Sequence, residues 1–280
     1  MDAVRVTKLP EGEAMPVLGQ GTWYLGEGLR PRAEEIAALR LGIDLGMTLI
    51  DTAEMYGNGA TEELVGEAIA GRRDQVFLVS KVLPSHATAT GTVAACDRSL
   101  RRLRTDQIDL YLLHWRGAVP LVETLEGFEA LIRAVKIRYW GVSNFDVTDL
   151  EELRSTKGGR EVATNQVLYN LSRRGIERDL LPWCRELGTP VMAYSPIEQG
   201  RLLGHPVLQS VAARHGATAA QVALAWVLRE SDVITIPRSG RPEHVGENRE
   251  ALDLRLTAED LAALDRAFPP PAGPRPLEMI

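Results

Sequence analysis

The chain has 280 residues, 45% of them hydrophobic and 25% charged, with a formal net charge of −6 at pH 7. These values exclude a disordered or fibrous chain, and the length suits one large α/β domain or two smaller ones. The negative balance and the isolated pairs Arg72-Arg73, Arg101-Arg102 and Arg173-Arg174, which read as solvated helix ends and loops, exclude a nucleic-acid surface.

In chain order, residues 4–18 read as a short hairpin, with Val4-Arg5-Val6 and Met15-Pro16-Val17-Leu18 around Pro10-Glu11-Gly12-Glu13. Strands then follow from apolar and β-branched runs at 17–20, 48–51, 76–82, 108–113, 137–142, 162–166, 190–194 and 233–236. Helices fill the gaps at 32–45, 60–70, 91–103, 122–134, 147–155, 177–187, 205–214 with 218–230, and 244–251 with 257–267. Pro31 falls at a first turn, Thr218 and Thr257 suit N-caps, and Gly46, Gly71 and Gly188 suit C-caps. The tail from Phe268 to Pro276 is too proline-rich for a helix and reads as a short extended arm or a disordered end, the arm slightly favoured.

This alternation, without a Pro- or Ser-rich linker, predicts an α/β fold: a single (β/α)8 TIM barrel over residues 1–280, with the N-terminal β-hairpin and the Pro-rich C-terminal arm added. A dinucleotide-binding open sheet would need G-x-G-x-x-G after its first strand; Gly19-Gln20-Gly21 supplies only G-x-G. No apolar run reaches membrane-spanning length, and Met1-Asp2-Ala3-Val4-Arg5 lacks the apolar core of a leader. Cys96 and Cys184 are far apart and without metal-ligand spacing. The expectation is a cytoplasmic protein with free thiols, no metal and no membrane partner.

Four runs carry the chemistry: T-L-I-D-T-A-E-M-Y-G (48–57), F-L-V-S-K-V (77–82), L-Y-L-L-H-W (110–115) and Y-W-G-V-S-N (139–144). They place Asp51, Tyr56, Lys81 and His114 at or just past the C-terminal ends of successive strands, the edge where barrel enzymes keep their catalytic groups. Each residue alone has a structural explanation, as a cap, a surface lysine or a core histidine. Together, Asp51 and Lys81 read as a buried ion pair, because a buried charge needs a partner. A cation ~4 Å from a phenolate contributes roughly 4 kcal/mol at an effective dielectric near 20, against desolvation. Lys81 is therefore expected to draw the Tyr56 pKa toward neutrality, making Tyr56 a proton donor to a carbonyl. His114, neutral, would orient the carbonyl oxygen. None of these groups carries two electrons, so a nicotinamide is the expected hydride source.

On these residues the chain resembles the aldo-keto reductase superfamily, from Met15-Pro16-Val17-Leu18-Gly19 to the last helix, with the shorter bacterial aldehyde and methylglyoxal reductases the most similar. The resemblance implies Asp51, Tyr56, Lys81 and His114 as the catalytic tetrad. It also implies NADPH bound in extended form on the barrel rim, and a monomer. It carries Ser143, Asn144 and Gln166 to the nicotinamide carboxamide and Tyr194 to the face of its ring. Gly21, Thr22 and Trp23 fall to the adjacent first-strand loop, and Ser195 and Ile197 to the start of a pyrophosphate-covering loop. Ile236, Arg238, Ser239, Arg241, His244, Glu247 and Asn248 fall to the adenosine 2′-phosphate segment. Many relatives have Lys in place of Arg238 and Arg in place of His244. Histidine holds a dianion less strongly than arginine near neutral pH, although Arg241 could compensate. NADPH is therefore expected to be preferred, with NADH used at lower efficiency.

Trp23, Tyr24, Met55, Trp115 and Phe145 flank these groups in sequence and are expected to wall the site, with packing alone an equal explanation for Tyr24 and Met55. Trp23 and Trp115 align with substrate-pocket positions of the family, beside Tyr56 and His114. The short loop Arg116-Gly117-Ala118-Val119-Pro120 leaves an open pocket, suited to small aldehydes, α-dicarbonyls and aromatic aldehydes. Two rivals stay open: a Schiff-base aldolase using Lys81, and a cofactor-binding regulatory or lens protein without turnover.

Overall fold

The computed structural model describes residues 3–280. Met1 and Asp2, the start of the segment read as lacking a leader, lie outside them. The hairpin forms from β1 (Val6–Lys8) and β2 (Ala14–Pro16), antiparallel with Thr7 opposite Met15. Eight parallel strands then follow in sheet order identical to chain order: β3 (Gln20–Gly21), β4 (Leu49–Asp51), β5 (Phe77–Val82), β6 (Ile108–Leu113), β7 (Ile137–Ser143), β8 (Asn165–Leu168), β9 (Val191–Tyr194) and β10 (Val233–Thr235). The sheet closes on itself through parallel bridges from Leu18 to Thr235 and from Gly21 to Arg238, with Gly19 N–H donating to the Thr235 carbonyl at 2.9 Å. The expected (β/α)8 barrel is the fold found.

Helices α1 (Arg32–Asp44), α2 (Ala60–Ala68), α3 (Ala89–Leu103), α4 (Leu121–Arg133), α5 (Val147–Ser155), α6 (Leu180–Glu186), α7 (Pro206–His215), α8 (Ala219–Val227), α9 (Pro242–Glu250) and α10 (Ala258–Ala267) surround it. Their ends follow local chemistry. Thr218 with Gln221 and Thr257 with Asp260 form reciprocal capping boxes, and Gly46, Gly71 and Gly188 take positive φ. Thr88 Oγ1 accepts from Gly91 N–H at 3.1 Å, so α3 starts two residues before the sequence reading placed it. The sixth expected strand, at 162–166, lies slightly later, at Asn165–Leu168, because a 3-10 turn at Gly159–Glu161 takes up the chain first.

The strands sort their side chains with a period of two. Leu49, Phe77, Val79, Leu110, Leu112, Met192, Ile234 and Ile236 fill the barrel, while Ile50, Leu78, Tyr111, Leu113, Val142 and Val167 pack outward under the helices. Leu9 and Met15 of the hairpin join the interior cluster and plug its N-terminal end. The next inward positions toward the opposite mouth are Asp51, Lys81, His114 and Tyr194. Sequence alternation therefore delivers those side chains to one opening.

Residues 269–280 form no helix or strand and cross the C-terminal rim as an arm. Arg174 anchors its start, donating to Asp265 at 2.7 Å and to the Phe268 carbonyl at 2.6 Å. Arg173 pairs with Glu278 near its end at 2.6 Å.

Candidate active site

Asp51 ends β4, and the chain from there to Tyr56 is fixed by contacts to β5 and its loop. Thr52 N–H donates to the Val79 carbonyl, and Thr22 Oγ1 donates to the Asp51 carbonyl at 2.8 Å. Glu54 is buried, accepting from Leu83 N–H at 2.8 Å and pairing with His86 Nδ1 at 2.9 Å. After Tyr56 the backbone turns through Gly57, Asn58 and Gly59, all at positive φ. At Gly59, φ is 97°, a conformation open to glycine and costly for other residues.

At the centre, Lys81 Nζ lies 2.7 Å from Asp51 Oδ2, 2.9 Å from the Thr52 carbonyl and 3.2 Å from the Tyr56 hydroxyl. Asp51 Oδ1 accepts from Gln166 Nε2 at 2.7 Å. Both charged side chains are closed to solvent, at 0% and 3% exposure, so each depends on the other to offset several kcal/mol of desolvation. Burial opposes the Lys81 charge, yet Asp51 and Tyr56 outweigh it and hold the ammonium above its ordinary pKa.

Tyr56 departs from the sequence expectation. Its pKa is raised above the ordinary 10.0: burial is the largest cause, Lys81 pulls the other way, and the Asp51 carboxylate adds to the rise. Lys81 comes as part of a pair, so its attraction for a phenolate is offset in part by its own counter-ion and outweighed once burial is added. The phenol is therefore a fully protonated donor at neutral pH. His114 is held well below 6.5 by burial and then by Lys81, so its imidazole is neutral, and its buried Nδ1 has no partner among the described residues.

Around the tetrad opens a cavity of about 620 Å3. Gly21, Thr22, Trp23, Asp51, Tyr56, His114, Trp115, Ser143, Asn144, Gln166, Tyr194, Ser195, Ile197, Ile236 and Arg238, all singled out from sequence, line it. Lys81 lies beneath, reaching the wall through Asp51 and Tyr56. Trp23 stacks beside Tyr56 with ring centroids 6.2 Å apart, and Trp115 stands 5.0 Å from His114. Gly21 is required by space, because a Cβ there would meet the Ile236 carbonyl oxygen at 2.6 Å.

Ser143 Oγ donates to the Gln166 carbonyl at 2.8 Å, Asn144 Nδ2 donates to Ser143 Oγ at 3.1 Å, and Tyr194 OH donates to Asn144 Oδ1 at 2.9 Å. Asn144 takes φ 59°, a left-handed value that asparagine tolerates. This set offers both donors and acceptors at the cavity wall, as a carboxamide requires, and so fits a nicotinamide.

Ser239, Arg241, His244, Glu247 and Asn248 do not line the cavity. Ser239 and Arg241 lie between β10 and α9, and His244, Glu247 and Asn248 lie within α9, with Ser239 Oγ accepting from Arg241 N–H at 3.0 Å and both Arg241 and His244 exposed. Arg238 bridges the two regions: it lines the cavity and lies 6.0 Å from the Tyr24 ring centroid. Cations beside a helix N-terminus fit a phosphate.

Phe145 is corrected. It is fully buried under the helices and away from the cavity, because the turn at Asn144 rotates it into the outer core. Arg116 pairs with Glu152 at 2.8 Å and does not line the cavity. Pro196, Gln199 and Gly200, in the loop expected over the pyrophosphate, line it too; Met279 and Ile280 are the cavity-lining residues that the sequence reading missed. The proline-rich arm signalled an extended path, but no local pattern revealed where its apolar end would rest.

Residues 17–268 match the family model described as the aldo/keto reductase family. The chain belongs to that family. It is 52% identical over 272 residues to a methylglyoxal reductase, YeaE, of Escherichia coli (strain K12), covering 95% of this chain and 96% of that protein. It is 35% identical to a glyoxal reductase of Bacillus subtilis (strain 168), covering 98% of this chain and 96% of the relative. A crystal structure of an aldo/keto reductase from Klebsiella pneumoniae in complex with NADP and acetate matches at a TM-score of 0.96 and 51% identity, over 99% of this chain and 100% of that one.

Proposed function

We propose that the chain reduces small aldehydes and α-dicarbonyls, methylglyoxal among them, to alcohols with NADPH, Tyr56 serving as the acid. As a family member it is an NADP-dependent oxidoreductase, and the Klebsiella pneumoniae relatives were crystallised with NADP and with NADPH. The observation that carries the finer reading is the chain from Asp51 through Lys81 to the Tyr56 hydroxyl, opening on a wall of carboxamide-compatible groups.

When bound, NADPH supplies the hydride. Ser143, Asn144 and Gln166 would hold the carboxamide, Tyr194 would cover the ring, and residues 195–197 would approach the pyrophosphate. Arg238, Arg241 and His244 would meet the 2′-phosphate. Neutral His114 hydrogen-bonds the carbonyl oxygen without adding a charge. Tyr56 hands its proton to the oxygen as negative charge develops there, and Lys81 steadies the phenolate left behind. Even with its raised pKa the phenol is a stronger acid than the alcohol being formed, so its proton still moves downhill to the developing alkoxide.

Trp23 and Trp115 wall the carbonyl pocket. The reading takes residues 1–280 as one catalytic domain working as a cytoplasmic monomer. No helix among the described residues is long and apolar enough to cross a membrane, and no group of metal-ligating side chains gathers among them. A Schiff base on Lys81 is disfavoured because its amine is charged, closed to solvent and committed to three acceptors. The test is stoichiometry across a panel of carbonyls: one alcohol formed per NADPH oxidised supports the reading, and NADPH binding without turnover of any carbonyl removes it.

A further inference from the structure

The connection after β8 places one arginine between carboxylates from two sides of the cavity. Arg173 donates to Glu198 Oε1 from Nε at 3.2 Å and from Nη2 at 3.1 Å, and from Nη1 to Glu278 Oε1 at 2.6 Å. Glu198 belongs to the segment after β9, whose Ser195, Ile197 and Gln199 line the cavity. Glu278 directly precedes Met279 and Ile280, which line it as well.

The two carboxylates are held unequally. The Glu198 side chain is 5% exposed and also accepts from Asn170 Nδ2 at 2.8 Å and from Arg201 at 3.0 Å. Its segment carries non-glycine residues at positive φ, namely Ser195 at 48°, Glu198 at 50° and Gln199 at 55°. Each such residue is strained and persists only where its surroundings hold it. Glu278 is 36% exposed and has Arg173 as its ion-pair partner. Residues 275–278 line an open cleft of about 100 Å3 together with Asp146 and Asp179. The end of the arm is thus held by an ion pair beside a cleft.

We propose that Arg173 is a positioning residue that ties the C-terminal arm to segment 195–200, so that the carbonyl side and the cofactor side of the cavity open together. This rests on the reading of the cavity as an NADPH-dependent carbonyl site. When segment 195–200 moves to release the nucleotide, Glu198 withdraws from Arg173, and the arginine no longer holds Glu278 against the rim. Conversely, a loosened arm leaves Arg173 free to swing away from Glu198. Coupling of this kind is reciprocal, so nucleotide binding completes the carbonyl pocket and the seated arm slows nucleotide release.

The experiment measures NADPH release by fluorescence without any carbonyl, and KM and kcat for methylglyoxal, in wild type, Glu278→Gln, Arg173→Lys, Arg173→Met and the Arg173→Met/Glu278→Gln double variant. Glu278→Gln should speed NADPH release and raise the carbonyl KM together, each about 2- to 5-fold, as expected for a half-exposed pair. Arg173→Lys should restore most of what Arg173→Met loses, and the double variant should release NADPH no faster than Arg173→Met alone. A raised KM with wild-type NADPH release in Glu278→Gln, faster release with unchanged KM, or no change in either overturns the coupling. Release needs no turnover, so a wild type that reduces no carbonyl would defeat the functional reading while the release rates still decide this one.

Discussion

The ammonium of Lys81 is held 2.7 Å from the Asp51 carboxylate, with both side chains shut off from solvent. Neither charge would be tolerated there alone. Lys81→Met should therefore cost about 3–5 kcal/mol of stability by leaving Asp51 as an uncompensated buried charge. Asp51→Asn added to Lys81→Met should recover much of that loss, because the amide remains a partner for Gln166. Urea unfolding of Lys81→Met, Asp51→Asn and the double variant measures this; additive losses would show that the pair is not mutually dependent.

Tyr56 and His114 set the pH behaviour of catalysis. The Tyr56 pKa lies above 10.0 and that of His114 well below 6.5, so the working forms, neutral phenol and neutral imidazole, persist across the interval between. Carbonyl reduction should be flat through pH ~6.5 and fall only above about pH 10. Alcohol oxidation needs the phenolate and should rise with pH over the same range. A reduction profile with an acidic limb near pH ~6.5 would contradict the neutral, buried His114.

The same histidine affects folding. Its pKa is depressed in the folded state, so below pH ~6.5 the unfolded chain binds a proton that the native site refuses. Its contribution is fully present above pH ~6.5 and is lost as the pH falls toward the folded value. The loss can reach about 1.4 kcal/mol per pH unit. Wild type should lose more stability than His114→Gln between pH ~6.5 and pH ~5. Parallel pH–stability curves for the two proteins would remove this assignment.

Cofactor choice is expected to turn on His244, exposed near the start of α9 with Arg238 and Arg241 close in sequence. His244→Arg should tighten NADPH binding by roughly 3- to 10-fold with little change for NADH, in line with a charge-assisted contact to a phosphate. Dissociation constants for both nucleotides check it. Equal tightening for NADH would place the new charge elsewhere than at the 2′-phosphate.

Much of this site was legible because its residues obey strand periodicity. Asp51, Lys81 and His114 continue the inward alternation begun by Leu49, Val79 and Leu112, and the run of apolar residues before each fixed its place on the rim. Where the backbone breaks that period, sequence reading failed. Asn144 at φ 59° sends Phe145 into the core, and nothing local announces it. The Tyr56 pKa was misjudged for a different reason: the attraction of Lys81 is local and easily pictured, whereas desolvation and the opposing Asp51 are set by how the barrel packs. Met279 and Ile280 reach the cavity through contacts between segments far apart in sequence, Arg173 with Glu278 among them, which no periodicity encodes.

The most direct test compares NADPH oxidation by methylglyoxal in wild type and Tyr56→Phe, with NADPH affinity measured on both. The account predicts turnover by wild type and a loss of roughly 10²–10⁴-fold in kcat for the variant, at unchanged NADPH affinity. Turnover by Tyr56→Phe at the wild-type rate would contradict the assignment of Tyr56 as the proton donor.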